Sequence, residues 1–427
     1  MEQAVKPARK LTGTVTVPGE LEPSVLNVAF AACADGKSVV RNTPPAVEPL
    51  LRALGALGVD VEADRGKLTV HGKGLRGLSR PDGTLQLQDQ GAEVMPLVAV
   101  LACQSFDSHV ELGEECTGHA AWQPARAAIA AMGGEIERES ATVYRVGGNR
   151  TLTAISHEEA DLPLLAKLAV AVAARGAEGT TRWCETARGR DGGVRYLRDW
   201  FDVVRRRQEG SEDYEVLVDG GEMRPVEVEI AGDLRLSYPF IVAAVALKGS
   251  ELILRNVALH AGRRTLLDTM RQIGAPIAIA DGEGGTSEIT VTSGGLKSTR
   301  IAGKRTAAVI EHVALVAVLA TQAQGQFVIR DVRELRQGSF DVVAHLVAFL
   351  REMGAKVGEF DEGLVIDGGL PLRGTRVETH GDPNLALAAA IAGLLADGEV
   401  TIVDSNCIDR LYPGFFAAVE ACKESRK

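Results

Sequence analysis

Residues 349–357 read FLREMGAKV, and the same phrase returns as LLRALGALGV at 50–59, AIAAMGGEI at 128–136 and TMRQIGAPI at 269–277. Each copy has apolar residues at helical spacing, a glycine, and then a short β-branched run. A glycine can take the left-handed conformation that ends a helix, so each phrase predicts a helix, a C-cap and a strand. The stretches before these phrases also match one another. VAFAACADGKSVVRN (28–42), VAVLACQSFDSHVEL (98–112), IVAAVALKGSELILRN (241–256), ALVAVLATQAQGQFVIRD (314–331) and ALAAAIAGLLADGEVTIVD (386–404) read helix, turn, strand.

Together these phrases make six repeats of roughly 65–75 residues, a period that signals one supersecondary unit used again and again. The repeats begin near residues 11, 84, 151, 226, 299 and 375. The third is the least regular, with RRRQEGSEDYE at 205–215 in its second half. The run RRRQEG (205–210) is read as a solvated face. The sixth ends too early to be complete, so a strand must reach it from elsewhere. The segment before Gly19 is the natural donor. Alanine-rich helices can approach closely, which suits three helices packed inside three sheets, with three repeats to a globule.

Composition narrows the function. The chain has 427 residues, 45% hydrophobic and 24% charged, with a formal net charge of −10. An acidic chain of this kind is not built for nucleic acid or an anionic membrane surface. Its six cysteines form no CxxC pair, and no cysteine–histidine spacing suggests zinc, so reduced thiols and no metal are expected. The opening MEQAVKPARKLTG lacks the apolar core of a signal peptide, and no run is long enough to span a bilayer. A cytoplasmic protein is expected.

TGTVTVPG (12–19), followed by the first alanine-rich helix, turn and strand and then by LLRALGALGV, resembles the opening of the enolpyruvyl transferases. This is the family of EPSP synthase and UDP-N-acetylglucosamine enolpyruvyl transferase, and the resemblance runs through all six repeats. It implies an α/β (α+β) chain folded as a two-domain inside-out α/β barrel of βαβαββ repeats, three per domain. One domain would hold residues 1–19 and 231–427 and the other 20–230, with substrate bound in the cleft between them. It also implies a small-molecule substrate, no cofactor and a monomer.

The site diverges from the family pattern. Where the family has a lysine after the opening glycine, this chain reads Glu20-Leu21-Glu22. The NAGTAMRPL segment of EPSP synthases becomes DQGAEVMPL (89–97), with Met95 at the arginine position and Asp89 and Glu93 nearby. The Ser-Ser-Gln triplet is replaced around Ala160, Asp161 and Leu162. The K-E-[ST]-D-R loop becomes Gly338-Ser339-Phe340-Asp341-Val342, and D-H-R becomes Asp382-Pro383-Asn384.

Other positions are kept. Glu311 in VIEHVAL falls where the family has its aspartate general base. Cys116-Thr117 matches the G-C-T loop of the UDP-N-acetylglucosamine enzymes, and His119 lies three residues on. Arg410 in CIDRLYP stands at a clamp position otherwise held by lysine. The resemblance implies Glu311, Cys116 and Asp382 as catalytic groups, and His119, by its place beside Cys116, could tune that thiol or act itself near neutral pH. It implies Arg410, Asp341 and Asp161 as substrate contacts.

Three further expectations come from the residues themselves. Arg188 and Arg190, on the glycine-containing turn ARGRDGGVR, could hold an anion. Asp89, Glu93 and Glu22, with Glu20, could instead hold a cation or an amine. Each acidic helix-start residue has an ordinary structural role as well, because an N-terminal carboxylate complements the helix dipole.

Phosphoenolpyruvate brings a phosphate and a carboxylate, and unpaired burial would cost roughly several kcal/mol per ion. With Arg410 as the matched cation, the leading expectation is acid/base addition–elimination or dehydration of a less anionic metabolite. Glu311 would be the base and Cys116 or His119 the acid, in a transferase or lyase. The alternatives are a silent binding relative, or enolpyruvyl transfer of the EPSP synthase or UDP-sugar type through a rearranged site.

Overall fold

The computed structural model describes all residues except 149–150, 158–161, 186–199, 202, 209, 260–263, 283–285, 338–339 and 426–427. The expected helix ends are present. Helices Glu48–Ala56, Trp122–Ala131, Arg264–Ile273 and Val342–Glu352 lead into strands Asp60–Asp64, Glu135–Arg138, Ile277–Asp281 and Lys356–Phe360. The intervening Gly58, Gly133, Gly274 and Gly354 have φ of +78°, +94°, +106° and +87°. A side chain is disfavoured there, which is why the phrase keeps its glycine.

The chain forms two compact units, Met1–Pro18 with Ala231–Lys427, and Gly19–Ile230. In the first, helices Leu234–Ala246, Val313–Thr321 and Pro383–Leu395 pack on one another. All nine residues of Val313–Thr321 are buried, as are the eleven from Leu385 to Leu395. Helices apolar on every side belong inside, and alanine and glycine let them approach closely. The sheets supply the outer layer with one face inward, as the alternating burial of Ser287–Thr292 shows. In the second unit, Met95–Leu101 packs against both Leu21–Cys33 and Leu164–Arg175. Each unit has its own hydrophobic core.

Six sheets follow one plan, each with one parallel pair. Strand Gln3–Val5 joins Val400–Val403, so the N-terminal segment completes the short sixth repeat. The first and fourth repeats differ from the simple reading. Ala8–Thr16 pairs in parallel with Glu251–Val257, and Glu227–Glu229 pairs with Asp35–Arg41. The two repeats exchange entry strands because the chain passes from one unit to the other after Pro18 and after Ile230. Among the described residues, no helix is long and apolar enough to cross a membrane.

Candidate active site

In the first unit the chemistry gathers at the N-terminal ends of the packed helices. Asp233 caps helix Leu234–Ala246 by accepting from the Arg235 amide at 2.8 Å. The same carboxylate accepts from Arg235 Nε at 2.9 Å and from Nη2 at 2.7 Å. This fork holds the guanidinium in place, and Arg235 Nη1 lies 3.9 Å from Oε2 of Glu311. Glu311 sits in the single turn Ile310–His312 before the next inner helix, with its side chain 58% exposed. Its carboxylate is therefore both reachable and directed.

His312 follows Glu311 but points inward and stacks on Tyr238, with ring centroids 4.7 Å apart. Among the described residues neither ring nitrogen finds a hydrogen-bond partner, and the Tyr238 hydroxyl has none either. Burial lowers the imidazole pKa to about 4. The Arg235 charge adds to the shift, and the Asp233 carboxylate opposes it.

The pH consequence has a definite sign. Between the ordinary histidine value, about 6.5, and the lowered one, the unfolded chain binds more protons than the folded chain. Stability is then fully present above pH ~6.5 and is lost as acid is added down to pH ~4. The shift amounts to about 3 kcal/mol. Urea unfolding of wild type should weaken by that order over this window. His312→Gln should show a flatter profile, and identical profiles would contradict the assignment.

Asp341 and Asp382 are both helix caps. Asp341 accepts from the Ala344 amide at 2.9 Å and from Arg336 Nη1 at 2.8 Å. Burial pushes its pKa up, but the amide bond and the guanidinium outweigh that and leave it below the usual carboxylate range. Asp382 accepts from the Leu385 amide at 2.7 Å. The expected catalytic role of Asp382 and substrate role of Asp341 must therefore compete with helix capping.

Around these caps stand His345, whose Nδ1 lies 2.8 Å from the Asp341 carbonyl oxygen, and His380, with ring centroids 4.4 Å apart. Buried Cys407 lies beside Thr379, Asp382 and Arg410. Burial raises its pKa, Asp382 adds to that, and Thr379 and Arg410 oppose it. Arg410 is exposed and forms no ion pair among the described residues. The unit thus brings Asp382 and Arg410 together beside Cys407, and sets His380 against His345, which stands over the Asp341 cap.

In the second unit several of the expected residues are carboxylates close to one another. Glu93 precedes helix Met95–Leu101 and is half-buried. Burial raises its pKa, and the nearby carboxylates of Glu22 and Glu115 raise it further. Met95 is buried in the core, and Asp89 is exposed on a turn.

Cys116 departs from the expected catalytic role. It lies in the four-residue helix Glu114–Thr117 and is 1% exposed. Burial, reinforced by Glu93, pushes its thiol up to about 12. An enclosed thiol that stays protonated can neither attack nor meet a substrate. His119 is exposed, and its Nδ1 accepts from the Ala121 amide at 3.1 Å, which orients the ring as part of the turn. Asp161, Arg188 and Arg190 lie outside the described residues.

Several groups escaped the sequence reading. Arg235 and His312 are two, although Gly232-Asp233 repeats the Gly381-Asp382 helix start and marked the place. Lys167 and Glu185 are two more. Lys167, inside helix Leu164–Arg175, lies 3.3 Å from Glu185, and both side chains are almost fully buried. Arg205 reaches the same carboxylate at 3.3 Å and covers the Tyr214 ring at 3.7 Å. Arg205 to Arg207 are exposed, as expected of a solvated face, and Arg205 in addition reaches the buried Glu185.

Comparison with known proteins now bears on this arrangement. Residues 5–419 match the family described as EPSP synthase (3-phosphoshikimate 1-carboxyvinyltransferase). The 3-phosphoshikimate 1-carboxyvinyltransferase of Geobacter metallireducens is 31% identical, with 97% of this chain and 98% of that protein covered. The Bacillus licheniformis enzyme of the same name is 30% identical over the same shares. Among solved structures, EPSP synthase from Acinetobacter baumannii superposes with a TM-score of 0.75 at 24% identity, covering 99% of this chain and 98% of that one. The enolpyruvyl transferase NikO from Streptomyces tendae gives 0.64 at 18% identity, covering 98% and 96%. These two likenesses concern the fold, a two-domain inside-out α/β architecture. From the match along almost its whole length, the chain belongs to the EPSP synthase family.

Proposed function

We propose that this protein is a carboxyvinyl transferase that moves the enolpyruvyl group of phosphoenolpyruvate to a hydroxyl acceptor, with 3-phosphoshikimate as the acceptor. The observation that carries this reading is the 30–31% identity to enzymes of that name across 97% of the chain. It reverses the order of the sequence expectations, which put another acid/base reaction first.

The chemistry asks for proton transfer at two moments. A proton joins the terminal methylene carbon of the enol phosphate while the acceptor oxygen bonds to the neighbouring carbon and gives up its own proton. Phosphate then leaves, and a proton departs from the methyl group to restore the double bond. One carboxylate can serve these transfers, and Glu311 is the group assigned here. Arg235 directs it from 3.9 Å, and Arg410 supplies an anion contact. The helix N-termini beside Asp233, His312 and Asp382 add favourable fields of about 0.3–1 kcal/mol each toward anions.

A second reading rests on a different observation. Glu22 and Glu115 both bear on Glu93, close to where the family pattern has a lysine and an arginine. Such a cluster favours an acceptor less anionic than a phosphorylated sugar acid. Calorimetric titration with phosphoenolpyruvate, alone and with shikimate 3-phosphate, separates the two. Micromolar binding that tightens when both ligands are present supports the first reading. Absence of heat at millimolar ligand contradicts it and supports the second.

A further inference from the structure

Far from these residues in sequence, strands Asp60–Asp64 and Lys67–Lys73 form an antiparallel pair within the second unit. The register sets Asp60 opposite His71 and Glu62 opposite Thr69. Side chains alternate faces along a strand, so Asp60, Glu62 and His71 project from the same face. His71 Nε2 lies 3.0 Å from Glu62 Oε1. One donor atom from each of the three residues lies within 4.8 Å of the others. Asp60 and Glu62 are exposed and His71 is half-buried.

We propose that Asp60, Glu62 and His71 form a surface site for a divalent transition-metal ion of the Zn²⁺ type, with water completing its shell. The donor set is one imidazole nitrogen and two carboxylates. Imidazole suits zinc, copper and nickel, whereas calcium and magnesium call for oxygen ligands. Around a tetrahedral ion with bonds of ~2.0–2.2 Å, donors stand about 3.4 Å apart, so the three atoms need only side-chain rotation to converge. The sheet holds the backbones, so no ordering of a loop opposes binding.

The opposing charge is also identifiable. Strand Asp35–Arg41 flanks the pair on its other side and sets Lys37 opposite His71. Its ammonium repels a cation at the imidazole, although its flexible stem can carry the charge into solvent. No metal spacing is visible along the chain because the ligands come from two strands joined only by their register. The site is independent of the carboxyvinyl transfer proposed above.

Titration of the full chain with Zn²⁺ and with Ca²⁺ at pH 7.5 tests the proposal, with urea midpoints verifying that each variant is folded. One Zn²⁺ should bind in the micromolar range, with no matching Ca²⁺ heat. His71→Gln should weaken Zn²⁺ at least tenfold, and Lys37→Gln should tighten it several-fold. Trace Cu²⁺ should broaden the amide resonances of residues 60–62 and 69–71. Zn²⁺ binding that His71→Gln leaves unchanged, or none up to millimolar Zn²⁺, would overturn the site.

Discussion

Glu311→Gln should lower the rate of carboxyvinyl transfer by roughly 10²–10⁴-fold, the usual contribution of a positioned acid or base. The substitution keeps size and hydrogen-bonding capacity but removes the carboxylate proposed to accept and return the proton. Glu311 is more than half exposed and caps nothing, so the variant should unfold at the wild-type urea concentration. Phosphoenolpyruvate affinity should change little, which places the loss in turnover. A Glu311→Gln enzyme with wild-type turnover would remove Glu311 from the mechanism while leaving the family assignment untouched.

The largest stability effect is expected at Lys167. Truncation to alanine leaves the Glu185 carboxylate buried, with Arg205 its remaining partner among the described residues. Breaking a buried pair in this way costs about 3–5 kcal/mol. Lys167→Met with Glu185→Leu removes both charges, keeps the volume and should recover most of that loss. The comparison separates charge from packing. If the single variant loses less than about 1 kcal/mol in urea unfolding, the pair is not sealed from solvent.

What the sequence disclosed follows the range of the interactions. A helix that ends in a left-handed glycine is a local event, and all four such turns were legible, as were the alanine-rich inner helices. The exchange of Ala8–Thr16 and Glu227–Glu229 was not, because their partners lie about two hundred residues away. Asp382 could be read as a helix start and does cap a helix, whereas Asp341 was read only as a motif carboxylate and caps one as well. Cys116 could be read as a partly buried loop cysteine but not as fully enclosed, since a four-residue helix leaves no periodic trace. Lys167 was hidden in a segment apolar on all sides, where no pattern marks which position meets Glu185. Arg235 and His312 were missed because their meaning lies in the contact between two inner helices, not in either one.

Incubation with phosphoenolpyruvate and shikimate 3-phosphate, followed by ³¹P and ¹H spectra, tests the central claim most directly. The account predicts inorganic phosphate appearing in step with the vinylic protons of an enolpyruvyl ether, and both signals suppressed in Glu311→Gln. No phosphate and no vinyl signal from folded wild-type protein, with both substrates near millimolar, would contradict it.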